Sequence, residues 1–173
     1  KHRRGVCSSI SPITFAPLSL TIRARHTGRC SPSERHCMPL PLVYHDDYSP
    51  PFPANHRFPM EKFRLLHDHL IASGVTSASE LLRPELCPPA ILQLAHCPDY
   101  IARFLAGDLG HAEQRRLGLP WSPALARRTV RAVGGSLLAA EQALAHGLAC
   151  HLAGGTHHAD YAQASGYCIF NDL

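Results

Sequence analysis

The chain has 173 residues, enough for one ordinary domain with a real core. It carries 17 Lys+Arg against 13 Asp+Glu, a formal net charge of +4, and no apolar run approaches the ~18 residues that a membrane span needs. Its seven cysteines form no C-x-x-C pair and are odd in number, which argues against a disulfide framework and fits a reduced, intracellular, soluble protein.

The charge is unevenly spread. Residues 1–37 hold seven basic residues (Lys1, Arg3, Arg4, Arg23, Arg25, Arg29 and Arg35) against Glu34, a balance of +6. Residues 38–173 hold ten basic residues against twelve acidic ones, a balance of −2. The globular part is not basic, so direct nucleic-acid binding is not expected of it. The first 37 residues are rich in Ser, Arg, Pro and Cys without a sustained period, and the first methionine is Met38. They read as a basic disordered tail. Translated upstream sequence without a role is one account. A targeting peptide is another, since transit peptides share the Arg- and Ser-rich, acid-poor composition. A nucleic-acid arm is the third. Residues 38–173 form the domain.

Leu42-Val43-Tyr44 reads as a short buried strand, and His45-Asp46 after it as a polar strand end rather than a pair of ligands. Pro50, Pro51, Pro53 and Pro59 impose a stiff loop. A helix over about Met60–Ser73 follows, with Phe63, Leu66, Leu70 and Ile71 on one face, His67 and His69 solvated, and Gly74 as its stop. Between Val75 and Leu82 the pattern gives only a brief strand or turn. A second helix opens at Pro88-Pro89 and ends at Cys97, before Pro98. Asp99 then reads as the N-cap of a helix over Tyr100–Leu105, with a further turn of helix at His111–Arg116.

The longest helix begins with Ser122 as N-cap and Pro123 at its first position, and ends near His146 with Gly147 as C-cap. Ala126, Val130, Val133, Leu137, Ala140 and Leu144 recur at three- and four-residue spacing, giving a buried face. Arg127, Arg128 and Arg131 read as a solvated face. Gly134-Gly135 costs about 1 kcal/mol per residue against alanine in a helix interior, which close packing on the sheet would justify. Leu148–Ala153 is an apolar run that reads as a buried strand. Helix alternating with strand makes the chain α/β, a parallel sheet flanked by helices.

Past that strand stands Gly154-Gly155-Thr156-His157-His158-Ala159, then Ser165-Gly166-Tyr167-Cys168-Ile169-Phe170-Asn171-Asp172. Loops at the carboxyl ends of parallel strands are where α/β folds place ligands. An imidazole there can accept a proton near neutral pH and return it. GGTHHA followed by SGYCIFND resembles the double-histidine segment of the histone deacetylase family, zinc-dependent amide hydrolases of the arginase/deacetylase fold. HDDYSPPFPANHRFPMEKF and Gly118-Leu119-Pro120-Trp121-Ser122-Pro123 resemble the bacterial and class IV branch. His96-Cys97-Pro98-Asp99-Tyr100 matches the family's H-x-x-x-Y element, to which a structural role is assigned.

The resemblance implies that His157 and His158 are catalytic, one as general base and the other as electrostatic partner or acid. It places Gly166 and Tyr167 at the family's Gly-Phe pair, whose ring lines the acyl-lysine tunnel; with tyrosine there the wall gains a hydroxyl. The implied substrate is acetylated lysine on protein, or a small acetylated amine. The family's metal ligands come from an Asp-x-Asp-x-His element on the next strand and a later aspartate, and the match ends at Asn171-Asp172-Leu173. Asp46, Asp47, Asp160 and Asp172 have no partners at metal-ligand spacing. Zinc is therefore expected in the complete family domain and not in this chain. The chain is read as an N-terminal, truncated part of the domain, poorly stable alone because parallel sheets are normally covered and paired. The alternative function is a catalytically inactive family member acting as a binding module.

Overall fold

The strand predicted over Leu42–Tyr44 forms as β1 (Leu42–Val43), and the one predicted over Leu148–Ala153 contracts to β2 (Cys150–His151). They pair in parallel, with Leu42 opposite Cys150 and Val43 opposite His151. These positions belong to a computed structural model that describes residues 40–173; the three readings of the basic 1–37 segment lie outside the described residues. The brief strand or turn in Val75–Leu82 is a single parallel bridge from Val43 to Leu82 on the other edge of β1. Tyr44 N donates to the Leu82 carbonyl at 3.0 Å and Leu82 N to the Leu42 carbonyl at 2.9 Å.

The helices are α1 (Lys62–Ala72), α2 (Pro89–Ala95), α3 (Pro98–Ala106), α4 (His111–Leu117) and α5 (Pro123–His146). Helices with a short parallel sheet are the α/β arrangement expected. Helix α5 has the ends read from its sequence. The Ser122 hydroxyl accepts from Leu125 N, satisfying an orphan donor of the first turn. Gly147, at φ 87°, closes the last turn.

Four expectations change. Helix α3 starts at Pro98, so Asp99 lies inside the first turn and not at the N-cap, where its carboxylate pairs with Arg103 Nε at 3.0 Å. His67 is not solvated, because its ring stacks on Tyr44 with centroids 4.1 Å apart. The apolar stripe of α5 is buried only in its first half: Leu137 is 37% and Leu144 77% exposed. On α1, Leu66 is likewise exposed. The fourth change concerns the arginines. Arg127 is exposed, but Arg128 and Arg131 are buried. Arg131 donates to Asp47 Oδ2 at 3.1 Å and to the Pro84 carbonyl at 2.9 Å. Burial opposes ionisation of Asp47, but its hydrogen bond to Arg131, with His45 and Arg127 adding to it, holds the carboxyl below its ordinary range.

The core gathers Tyr44, Tyr48, Tyr100, Phe104, Leu125 and Phe170 around the first half of α5. Gly134 and Gly135 have a packing reason, and it is not the sheet alone. A Cβ at Gly134 would overlap the Glu85 carbonyl oxygen, and one at Gly135 would overlap His151 Nε2 and Tyr48 Oη.

Candidate functional site

The chain leaves β2 at His151 and turns through Gly154, at φ 68°, into the double-histidine segment. His157 and His158 are both exposed. Their rings lie 4.2 Å apart between centroids, tilted by 46°. Facing His158 is a tight turn. Ser165 N donates to the Cys168 carbonyl at 3.0 Å, and Cys168 N to the Ser165 carbonyl at 2.8 Å. The two central residues, Gly166 and Tyr167, have φ of 56° and 68°, the positive pair that a type I′ turn demands. Glycine takes this without cost, while a tyrosine there stores strain of roughly 1 kcal/mol. The Tyr167 N–H is fixed on the Leu117 carbonyl at 3.0 Å. A Cβ at Gly166 would sit 3.7 Å from the His158 ring, so the turn lies directly against that imidazole.

The Tyr167 ring completes an aromatic wall. Its centroid lies 5.3 Å from Phe58 and 6.4 Å from His56, both in the proline-stiffened loop. A Cβ at Gly118 would meet Tyr167 Cε1 at 3.0 Å. The structure thus places the His158 ring against both His157 and the Gly166–Tyr167 turn.

Behind the histidines is a polar chain whose members share no sequence spacing. Asp172 Oδ1 accepts from Thr156 N at 2.6 Å and from Thr156 Oγ1 at 2.8 Å. Thr156 returns a carbonyl to Asp172 N at 3.2 Å. Asp172 Oδ2 accepts from Ser136 Oγ at 2.5 Å. Ser136 Oγ faces His151 Nδ1 at 3.3 Å, and His151 Nε2 faces Tyr48 Oη at 2.8 Å. One assignment satisfies all of these. Tyr48 donates to Nε2, Nδ1–H donates to Ser136, and Ser136 donates to the carboxylate. It requires a neutral His151. Burial does push its pKa down, to about 4, with Asp172 opposing the shift and Arg128 adding to it. Tyr48 itself is pushed well above its ordinary value by burial.

His96 does a related job at the other end of the segment. It is 1% exposed. Its Nε2 accepts from Asn171 N at 2.7 Å and its Nδ1 faces the Tyr161 carbonyl at 3.3 Å. Tyr100 Oη donates to the Ile169 carbonyl at 2.7 Å. The H-x-x-x-Y pair therefore anchors the run that carries Tyr167 and Asp172. Beneath it, buried Arg128 lies 5.0 Å over the Phe63 ring, and its Nε has no hydrogen-bond partner among the described residues.

Among the described residues, no three His, Cys, Asp or Glu side chains stand together as ligands. His157 and His158 supply two imidazoles, but no third donor joins them, and a protein zinc site needs at least three. The described residues do not by themselves fit zinc. No helix among them is long and apolar enough to cross a membrane.

The architecture, a short parallel pair carrying a histidine loop at its carboxyl end with helices packed against it, is that of the deacetylase fold. Residues 56–173 match the histone deacetylase domain family, and the chain belongs to that family. It is 52% identical over 136 residues to an uncharacterized protein of Picosynechococcus sp., covering 79% of this chain and 45% of that one. It is 31% identical over 132 residues to the acetoin utilization protein AcuC of Staphylococcus xylosus, covering 70% of this chain and 34% of the relative. The crystal structure of an HDAC homolog from Aquifex aeolicus superposes with a TM-score of 0.64 at 25% identity, covering 78% of this chain and 39% of that one. The chain thus spans less than half the length of these relatives.

Proposed function

We propose that this chain carries the proton-transfer half of a deacylase active site, acting on acetylated lysine or a small acetylated amine. The observation that carries the reading is the contact between the paired imidazoles of His157 and His158 and the Gly166–Tyr167 turn. Hydrolysis of an amide needs a base for the attacking water and an acid for the departing amine. Two adjacent exposed imidazoles offer groups for both roles. The aromatic wall of Tyr167 and Phe58 suits the apolar stem of an acylated lysine, and the Tyr167 hydroxyl adds a polar group to it. In the family, zinc polarises the acyl carbonyl and activates the water.

The test is release of the acyl group from an acetyl-lysine peptide by the longest polypeptide that contains these residues, supplied with zinc. His157→Ala and His158→Ala should each lower kcat at least 100-fold, within the range of general acid–base contributions, with peptide affinity changed far less. If both variants keep near-normal turnover, the assigned roles are wrong. A second reading, a non-catalytic module that binds acylated groups, is supported by the aromatic wall of Tyr167 and Phe58, which needs no chemistry to hold an apolar stem. Saturable binding of the acetylated peptide with no turnover at any zinc concentration would select it.

A further inference from the structure

The wall at Tyr167 continues into a cavity of about 530 Å³ that Gly166 and Tyr167 share with His56, Arg57, Arg115 and Arg116. Its size falls within the range of small-ligand sites. No carboxylate lines it. The three guanidinium groups come from two separate segments, Arg57 from the proline-stiffened loop and the other two from the last turn of α4.

Their neighbours leave the charge largely uncompensated. Among the described residues, Arg57 and Arg115 make no ion pair and no side-chain hydrogen bond. Arg116 donates to the Gln163 side-chain oxygen, which positions the group without neutralising it. The acid of the same helix, Glu113, is engaged by Arg103 at 2.8 Å and by Gly110 N at 2.9 Å. Basic residues in a last helical turn complement the helix dipole, which accounts for Arg115 and Arg116. It does not account for Arg57, which belongs to no helix and lines the same space.

We infer that this basic pocket beside Tyr167 binds an anionic group, a carboxylate or a phosphate, carried on the amine side of the scissile amide. The inference rests on the deacylase reading and specifies its substrate class. The direction follows from the geometry. The reacting carbonyl must meet His157 and His158, so the acyl end lies at the imidazoles. The stem passes along Tyr167, and the amine-bearing portion emerges among the arginines. Guanidinium groups bind planar carboxylates and phosphates in paired hydrogen bonds. Two sources share this chemistry, an acidic residue flanking an acetylated lysine in a peptide and the carboxylate of a free N-acetylated amino acid.

Fluorescence anisotropy of the full chain, at low and at physiological salt, tests the inference. The probes are acetyl-lysine peptides flanked by Asp, Gly or Arg, and the Asp-flanked peptide without its acetyl group; free Nε-acetyllysine competes. The Asp-flanked acetyl peptide should bind about fivefold more tightly than the Gly-flanked one, the scale of two partly exposed charge pairs. Salt should erase the difference. In Arg115→Glu/Arg116→Glu the order should reverse in favour of the Arg-flanked peptide. Competition by free Nε-acetyllysine marks the small-molecule source, and its failure marks the peptide. Equal affinity for the three acetyl peptides, or an unchanged order in the variant, overturns the inference and leaves the deacylase reading standing. If the acetyl group adds nothing to the Asp-flanked peptide, the acyl reading itself fails at this site. No binding of any probe at millimolar concentration overturns both.

Discussion

Asp172 should matter far more than a half-buried carboxylate near a loop normally does. It takes Thr156 N at 2.6 Å and Ser136 Oγ at 2.5 Å, with the Thr156 hydroxyl at 2.8 Å. The Thr156 hydroxyl also reaches the Phe170 carbonyl, and its single proton serves one acceptor at a time, so two bonds to the carboxylate are counted as firm. Hydrogen bonds to a charged group contribute about 1.5–3 kcal/mol each. Partial exposure of Asp172 argues for the low end. Asp172→Ala should then cost ~2–4 kcal/mol, and Asp172→Asn less, since the amide keeps one acceptor but loses the charge. Urea denaturation of both variants measures this. A cycle with Ser136→Ala should show a coupling of at least ~1 kcal/mol, as contacting residues do. The reasoning is refuted if Asp172→Ala unfolds within ~0.5 kcal/mol of the unmodified chain, or if the cycle is additive.

Three further outcomes follow from the same packing. His151 has its folded pKa lowered to about 4, against ~6.5 unfolded; the unfolded chain binds the proton first, so stability is full above about pH 6.5 and falls as pH drops toward 4. The loss approaches ~3 kcal/mol, and His151→Gln should flatten that part of the pH profile of the urea midpoint. Asp47 acts lower on the scale. Its folded pKa is depressed, so its contribution is present above ~3.9 and disappears as pH falls further, a phase that Asp47→Asn should abolish in acid denaturation. Gly135→Ala should destabilise by ~1–3 kcal/mol, although glycine to alanine within a helix ordinarily stabilises, because the new methyl overlaps His151 and Tyr48; a thermal melt at or above that of the unmodified chain would contradict the packing.

Local signals read well from the sequence. Ser122-Pro123 and Gly147 set the ends of α5 because a cap and a left-handed stop act within a few residues. The double-histidine segment and the SGY turn are legible as a motif, and in the fold Gly166 lies against the His158 ring. What the sequence hid was long-range. Arg131 looks like one of three surface arginines until Asp47 and Pro84, 84 and 47 residues away in sequence, close around it. Arg128 is buried over Phe63 for the same kind of reason. Leu148–Ala153 has an apolar pattern over six residues, but pairing confines the strand to two, because β1 offers only two residues opposite it. The polar chain from Tyr48 to Asp172 draws on four separate segments, so no periodicity announces it.

That polar chain also answers how so short a sheet holds a loop in place. Two-residue strands contribute few backbone hydrogen bonds, and a two-stranded pair is at best marginal in water. The double-histidine loop is fixed by other means. On one side Asp172 ties Thr156, the residue before His157, to α5 through Ser136. On the other, Gly166 lies against His158, and the segment holding it is pinned by His96, the residue that ends α2, and by Tyr100 of α3. Buried polar groups that are fully paired fix one geometry, whereas apolar contacts tolerate sliding. The proton-transfer role proposed for His157 and His158 needs that fixity, since a displacement of about 1 Å costs on the order of 100-fold in rate. Buried His96 and half-buried His151 therefore hold the exposed His157 and His158 in register, and loss of either anchor should blur the site before it unfolds the domain.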